Sequence, residues 1–243
     1  MSGHSKWSQI KRQKGVADVK RSANFTKLTH AIIIAAKSGG DPDHNFSLKM
    51  AIEKAKEGNM PKSNIDRAIK RGTGEIAGGK IDEALYEAIG PYGIGIIIEA
   101  TTDNKNRTTS EIKNVLGKYS AKLASSGAVV YHFDHKGKII IDLKDKDREE
   151  IELLAIDIGA DDIDDHGEDL AIYTKANELE MVKKNLENQG LSIKEALLSY
   201  EPKDMIEVIE PQDIEKILKL MTAIEELDDV TNVYANFDLK GIN

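Results

Sequence analysis

The chain is expected to fold as an α+β protein: an N-terminal helical domain followed by two ferredoxin-like α+β domains, the third inserted into the second. Three observations carry that expectation. Apolar residues recur at helical spacing up to about Gly74, and the order β-α-β-β-α-β is spelled across residues 138–200. A further β-α-β set after Met205 has no partner nearby in sequence. Sheets do not leave apolar faces bare, so this late set is expected to pair with residues 94–133. The boundaries that follow are 1–76 for a basic helical domain, 77–134 with 204–243 for a discontinuous α+β domain, and 135–203 for an inserted acidic domain.

Within the helical part, Phe25, Leu28, Ile32 and Ala35 mark a first helix, stopped by Gly39-Gly40-Asp41-Pro42. Leu48, Ala51, Ile52 and Ala55 mark a second that ends at Gly58. A third carries Ile65, Ala68 and Ile69, with Ser63 as N-cap, Asp66 at the acidic capping-box position and Gly72 as terminator. Thr73–Lys80 is glycine-rich and reads as a linker. The β-branched run from Ile94 to Ala100 suits a buried strand. Thr108 and Glu111 form a capping box before Ile112, Val115, Leu116 and Tyr119, and Ala128–Phe133 reads as the next strand.

The acidic module opens with a strand over Lys138–Leu143 and a helix bearing Ile151, Leu154, Ala155 and Ile158. A hairpin across Asp161–Thr174 leads to a helix with Leu179, Val182 and Leu186, and Ile193–Tyr200 closes the set. Then come a strand at Met205–Ile209, a helix opened by Pro211 with a stripe of Ile214, Ile217, Leu218, Met221 and Ile224, and a last strand over Val230–Phe237.

Charge is divided sharply along the chain. Residues 1–72 hold 15 Lys/Arg against 6 Asp/Glu, while residues 73–243 hold 19 against 36, so a net charge of −8 conceals a basic end. Positive charge concentrated at one end of an acidic protein points to a polyanionic partner. The chain has no cysteine, which excludes disulfides, thiolate zinc sites and thiol nucleophiles and fits a reducing compartment. No stretch has the length of a membrane span and the N-terminus lacks a signal-peptide apolar core, so a cytoplasmic protein without membrane contact is expected.

Catalytic constellations fail one after another. Gly74–Ile81 nearly spells a phosphate-binding loop, but Ile81 stands where a hydroxyl would hold Mg²⁺ and no strand precedes it. Gly90-Pro91-Tyr92-Gly93-Ile94-Gly95 leads into a strand and reads as a tight turn. His132, Asp134 and His135 could ligate a metal, yet neighbouring strand residues point to opposite faces, and a polar turn is the better reading. The run Asp161–Gly167 places Tyr173 where an EF-hand needs Glu. No enzyme, metal or cofactor is expected.

The basic end is more informative. Lys6, Lys11, Arg12, Lys14, Lys20, Arg21 and Lys27 face one acid, Asp18, across residues 3–27, and Trp7 lies among them. Such cations can neutralise phosphates, and an indole can stack on a base or pack as a core anchor. Lys62, Arg67, Lys70 and Arg71 extend the charge, the last three at i, i+3 and i+4 on one helix face. Thr102–Thr108 joins a strand to a helix with Lys105 and Arg107 beside its start; an anion site and plain turn chemistry both fit.

Gly3-His4-Ser5-Lys6-Trp7, Phe25-Thr26-Lys27-Leu28, Asn59–Ile65, Arg67–Gly74, Thr102–Thr108 and Val233–Asp238 together resemble the YebC/PmpR family along the whole chain. The resemblance implies a helical domain and two α+β domains, one inserted in the other, with no enzymatic activity. It also implies a DNA-binding transcriptional regulator, or, as for a mitochondrial translational activator among the relatives, action on translation at the ribosome. Departures from the family pattern are Thr29-His30 in place of an Arg-Glu pair, Phe46-Ser47-Leu48-Lys49 in place of a more basic run, and Tyr92 within a glycine-rich turn. The expected partner is nucleic acid, as duplex DNA or as rRNA in the ribosome. The acidic domain is free for a protein partner, and the oligomeric state is left open. Among the first 27 residues only Arg12 and Arg21 carry a guanidinium, against five lysines, which favours backbone contact over base reading.

Overall fold

The computed structural model describes residues 21–143 and 146–239, with side chains from Phe25 onward. Two compact units emerge, one of residues 132–205 and one formed by the chain on either side of it.

The second unit opens with three helices: α1 (Arg21–Ala36), α2 (Phe46–Glu57) and α3 (Lys62–Gly72). Leu28, Ile32, Ile33 and Ala36 of α1 pack with Leu48 and Ala55 of α2, Ile65 and Ala68 of α3, and Ile81 from beyond the linker. Each fully buried Leu or Ile among them contributes roughly 1.5–3 kcal/mol. Asn45 caps α2, its side chain accepting the Leu48 amide at 3.0 Å while donating to the Ala35 and Gly39 carbonyls. Ser63 does not cap α3. The helix starts two residues before that cap would allow, at Lys62, with Pro61 at the N-cap position and no side-chain cap.

Gly72 sits where α3 passes α1. A Cβ there would lie 2.5 Å from the Ile33 carbonyl oxygen and 2.6 Å from the Ala36 Cβ. Both obstacles belong to the packed body of α1, so Gly72→Ala must push the helices apart. A loss of roughly 1–3 kcal/mol is expected in urea unfolding, as for overpacked cores.

The chain continues into β1 (Asp82–Ile89), β2 (Gly95–Thr102), α4 (Lys105–Lys118) and β3 (Lys122–Leu123). After the other unit come β8 (Ile206–Val208), α7 (Pro211–Glu225), β9 (Val230–Ala235) and β10 (Phe237–Leu239). The sheet order is β3-β1-β2-β9, so the late strand β9 lies antiparallel beside β2, Ile98 opposite Val233. One face of this sheet (Ala88, Ile96, Ile98, Val233, Ala235) receives Ile112 and Leu116 of α4 and Ile214, Ile217, Met221 and Ile224 of α7.

Four local expectations are corrected here. β1 is a strand that apolar patterning did not reveal. Residues 128–132 are a turn and a short 3₁₀ segment, not a strand, because the amides of Gly127, Val129 and Val130 are taken by the Glu87 carboxylate. The helix after β2 is capped by Asn104, not by a Thr108–Glu111 box. The final strand is broken at Asn236, whose side chain accepts the Gly95 amide at 2.7 Å and whose carbonyl accepts that of Ile206, turning the chain from β2 to β8. At the turn before β2, Tyr92 adopts φ 63°, a left-handed conformation usually left to glycine.

The remaining unit holds β4 (Phe133–Asp142), α5 (Arg148–Ile158), β5 (Asp162–Asp165), β6 (Asp169–Lys175), α6 (Leu179–Asn188) and β7 (Ile193–Pro202). The antiparallel order β5-β6-β4-β7 with this element order is the ferredoxin-like arrangement. The strand expected from Lys138 begins five residues earlier, at Phe133. Its acidic hairpin is held internally. Arg148 pairs with Asp165 and donates to the Gly167 carbonyl, and Lys194 bridges Asp142 and Asp169. Asp134 and His135, expected in a polar turn, lie instead within β4, where His135 stacks on Tyr200 at 4.8 Å and Asp134 pairs with Lys203.

Candidate nucleic-acid interface

The expected contact residues fall into three groups. Lys6, Trp7, Lys11, Arg12, Lys14 and Lys20 lie outside the described residues, as does the side chain of Arg21, which opens α1. A second group spends its charge inside the fold. The Lys27 ammonium donates to the Glu225 carbonyl at 2.6 Å, satisfying an orphan acceptor at the end of α7. Arg71 donates to the Gly79 carbonyl at 2.9 Å and lies over Gly78, where a Cβ would come within 2.3 Å of its Nε. Arg107 donates to both oxygens of Asp229, at 3.2 and 2.9 Å, and pairs with Asp103 at 3.0 Å.

The third group points outward. Lys62, Arg67 and Lys70 are exposed on α3, whose apolar side buries Ile65 and Ala68. The helix is strongly amphipathic by design of its sequence: two small and β-branched anchors inward, cations outward, with Asp66 the one acid among them. Lys105 is exposed at the start of α4. Lys37 and Lys80, both exposed, were not singled out from the sequence. Lys37 closes an apolar helix and Lys80 sits in a glycine-rich linker, so neither belonged to a charged run.

The Thr102–Thr108 segment is built as a cap. Thr102 Oγ1 accepts the Asn104 amide at 2.9 Å, and Asn104 Oδ1 accepts that of Arg107 at 3.2 Å. The hydroxyls of Thr102 and Thr108 reach Asp229 Oδ2 at 3.0 and 2.6 Å, and the Asp229 carbonyl accepts the Thr101 amide. Burial pushes the Asp229 carboxyl up, but hydrogen bonds from Thr108, Arg107 and Thr102 outweigh it and hold the group below the usual aspartate range. At the start of α4 the amides of Arg107 and Thr108 are thus taken by Asn104.

Among the described residues, no cluster of three His, Asp or Glu side chains could hold a metal ion. No described helix is long and apolar enough to cross a membrane.

Comparison with known proteins gives a consistent picture. The profile described as "TACO1/YebC protein N-terminal domain" matches residues 5–75, and that described as "TACO1/YebC second and third domain" matches residues 81–237. A protein of Pseudothermotoga lettingae named "probable transcriptional regulatory protein" is 48% identical over 242 residues, covering 98% of this chain and 94% of that one. A protein of Thermoanaerobacter pseudethanolicus with the same description is 45% identical, covering 100% and 99%. The crystal structure of a conserved hypothetical protein from Aquifex aeolicus superposes with a TM-score of 0.86 at 42% identity, covering 93% of each chain.

Proposed function

The chain belongs to the TACO1/YebC family, and from that premise we propose that it is a non-enzymatic nucleic-acid-binding regulator of gene expression, acting as a DNA-binding transcriptional regulatory protein. The observation that carries this reading is α3, an amphipathic helix that buries Ile65 and Ala68 and directs Lys62, Arg67 and Lys70 to solvent. Such a face neutralises backbone phosphates and gains from counterion release. In this reading residues 1–76 grip the polyanion. Residues 132–205, with 20 Asp/Glu against 10 Lys/Arg, are repelled by it and are left for a protein partner.

A second reading, a translation factor touching rRNA, is favoured by one detail. Arg71 and Arg107 are engaged within the fold, leaving Arg67 as the outward arginine of α3. Bidentate reading of guanine edges needs arginine forks, whereas lysines serve phosphates of either nucleic acid.

The test is fluorescence anisotropy of the full chain with a labelled 30-base-pair duplex across a salt series, with ribosomes as competitor. For Lys62→Gln/Arg67→Gln/Lys70→Gln, the slope of log K against log salt should shrink by about 2.7, at about 0.9 per lost phosphate contact, with binding about tenfold weaker. Duplex retained against ribosomes supports the transcriptional reading, and transfer to ribosomes supports the translational one. A wild-type chain that binds neither, or a variant with the wild-type slope, sinks the proposal.

A further inference from the structure

We propose that the nucleic-acid surface continues past α3 across the linker to α4, through a phosphate-contact cluster of Lys37, Lys80 and Lys105 gathered around Asp82. This rests on the nucleic-acid reading and extends it to residues that no charged run marks.

The geometry begins with how residues 78–82 are held. Arg71 reaches from α3 to the Gly79 carbonyl, and Lys37 reaches from the end of α1 to the Ile81 carbonyl. The Ile81 side chain is buried in the helical core at 1% exposure. Lys80 beside it is exposed. Its side chain is 81% exposed and pairs with Asp82 at 3.1 Å. Asp82 in turn lies opposite Thr102 in the β1–β2 ladder, and Lys105 stands three residues beyond Thr102. The Tyr86 hydroxyl, on the same strand as Asp82, donates to the Lys105 carbonyl at 3.4 Å and fixes that corner.

Lys80 therefore pairs with the Asp82 carboxylate, while Lys37, held at the neighbouring Ile81 carbonyl, and Lys105, just past the strand partner of Asp82, bring positive charge near it from two other parts of the chain. The hydrogen bond from Lys80 chiefly holds the Asp82 carboxyl below its ordinary range, against a smaller desolvation effect, and the fields of Lys105 and Lys37 add to it. Asp82 occupies the place that a phosphate would take, and it neutralises only one of the three charges. A backbone lying along the cations of α3 would meet this cluster where the helices give way to the sheet. The lysines are point charges on flexible stems, suited to phosphates and not to base edges.

The same anisotropy assay tests this with Lys80→Gln/Lys105→Gln and with Asp82→Asn in the full chain. The double variant should shorten the salt slope by about 1.8 and weaken binding several-fold, at about 0.9 per contact. Asp82→Asn, which removes the competing carboxylate, should tighten binding. If the double variant keeps the wild-type slope while the α3 variant loses affinity, contacts end at α3; this inference falls and the nucleic-acid reading stands. Unchanged or weaker binding by Asp82→Asn also counts against the cluster. Failure of the wild-type chain to bind duplex or ribosomes overturns both.

Discussion

Replacing Asp229 by alanine is expected to cost about 3 kcal/mol of folding stability, the scale of removing one partner from a buried charged network. Asp229 is 4% exposed and ties its own loop to the end of β2 and the first turn of α4. Its Oδ2 receives the hydroxyls of Thr102, at the end of β2, and Thr108, in the first turn of α4. Arg107 closes the network, and the Asp229 carbonyl ties the same loop to Thr101. Arg107 is 46% exposed, so its ion pair is screened and contributes the smaller part. The larger part is the two buried hydroxyls, 1% exposed as residues, that would lose their acceptor. Because the folded carboxyl lies below its unfolded value, the contribution is complete above about pH 4 and is lost as pH falls through the folded-state value. Urea unfolding at a series of pH values checks this. Asp229→Asn should flatten the acid limb by up to about 1.4 kcal/mol per pH unit, the slope of one proton. An unchanged acid limb would remove Asp229 from the account.

Glu87→Ala should be comparably damaging, again about 3 kcal/mol, because three buried or half-buried amides lose an ionised acceptor. Glu87 is 4% exposed in β1, and its two oxygens accept from Gly127 at 2.6 Å, Val129 at 2.6 Å and Val130 at 2.8 Å. Burial alone would raise its carboxyl. The three amides more than offset that and leave it below the usual glutamate range. The sign is the same as for Asp229: stability is present above about pH 4.3 and lost as pH falls. Hydrogen exchange distinguishes this role from general destabilisation. The amides of Val129 and Val130 should lose protection in Glu87→Ala well beyond the global change, while those of β2 should follow the global change. Uniform loss across the unit would count against a local clamp.

The same two carboxylates show where local patterning stops being informative. The helices α1 to α3 announce themselves because their buried positions repeat at helical spacing and punctuation follows, as at Gly58; Gly72, expected to end α3, is instead its last helical residue, and Thr73 follows as C-cap. β1 does not. Its sequence Asp82–Ile89 has one β-branched residue, exposes Leu85 at 45% and buries Glu87, the reverse of the usual arrangement. Only the amides of Gly127, Val129 and Val130 make a buried glutamate tolerable there, and they lie 40 to 43 residues away. Thr108 and Glu111 satisfied a capping rule on paper. Asn104 took the position because Thr108 was required by Asp229, 121 residues distant.

The candidate interface divides in the same way. Counting charges locates a basic end, but it cannot distinguish Lys70 from Lys27 or Arg67 from Arg71. Long side chains reach whatever acceptor the fold brings near. Lys27 finds a helix-terminal carbonyl 198 residues away, and Arg71 finds a linker carbonyl 8 residues away.

By itself the sequence determined the fold class, the helical and ferredoxin-like element order, the basic end and the family, since these follow from periodicity, composition and motifs read locally or in order. The tertiary structure decided that β9 lies beside β2, which cations stay in solvent, and that Lys80 pairs with Asp82 where Lys37 reaches the adjoining Ile81 carbonyl. The reason is physical: hydrogen bonds and charge pairs act over a few ångströms of space, and only folding brings such distant residues within that range.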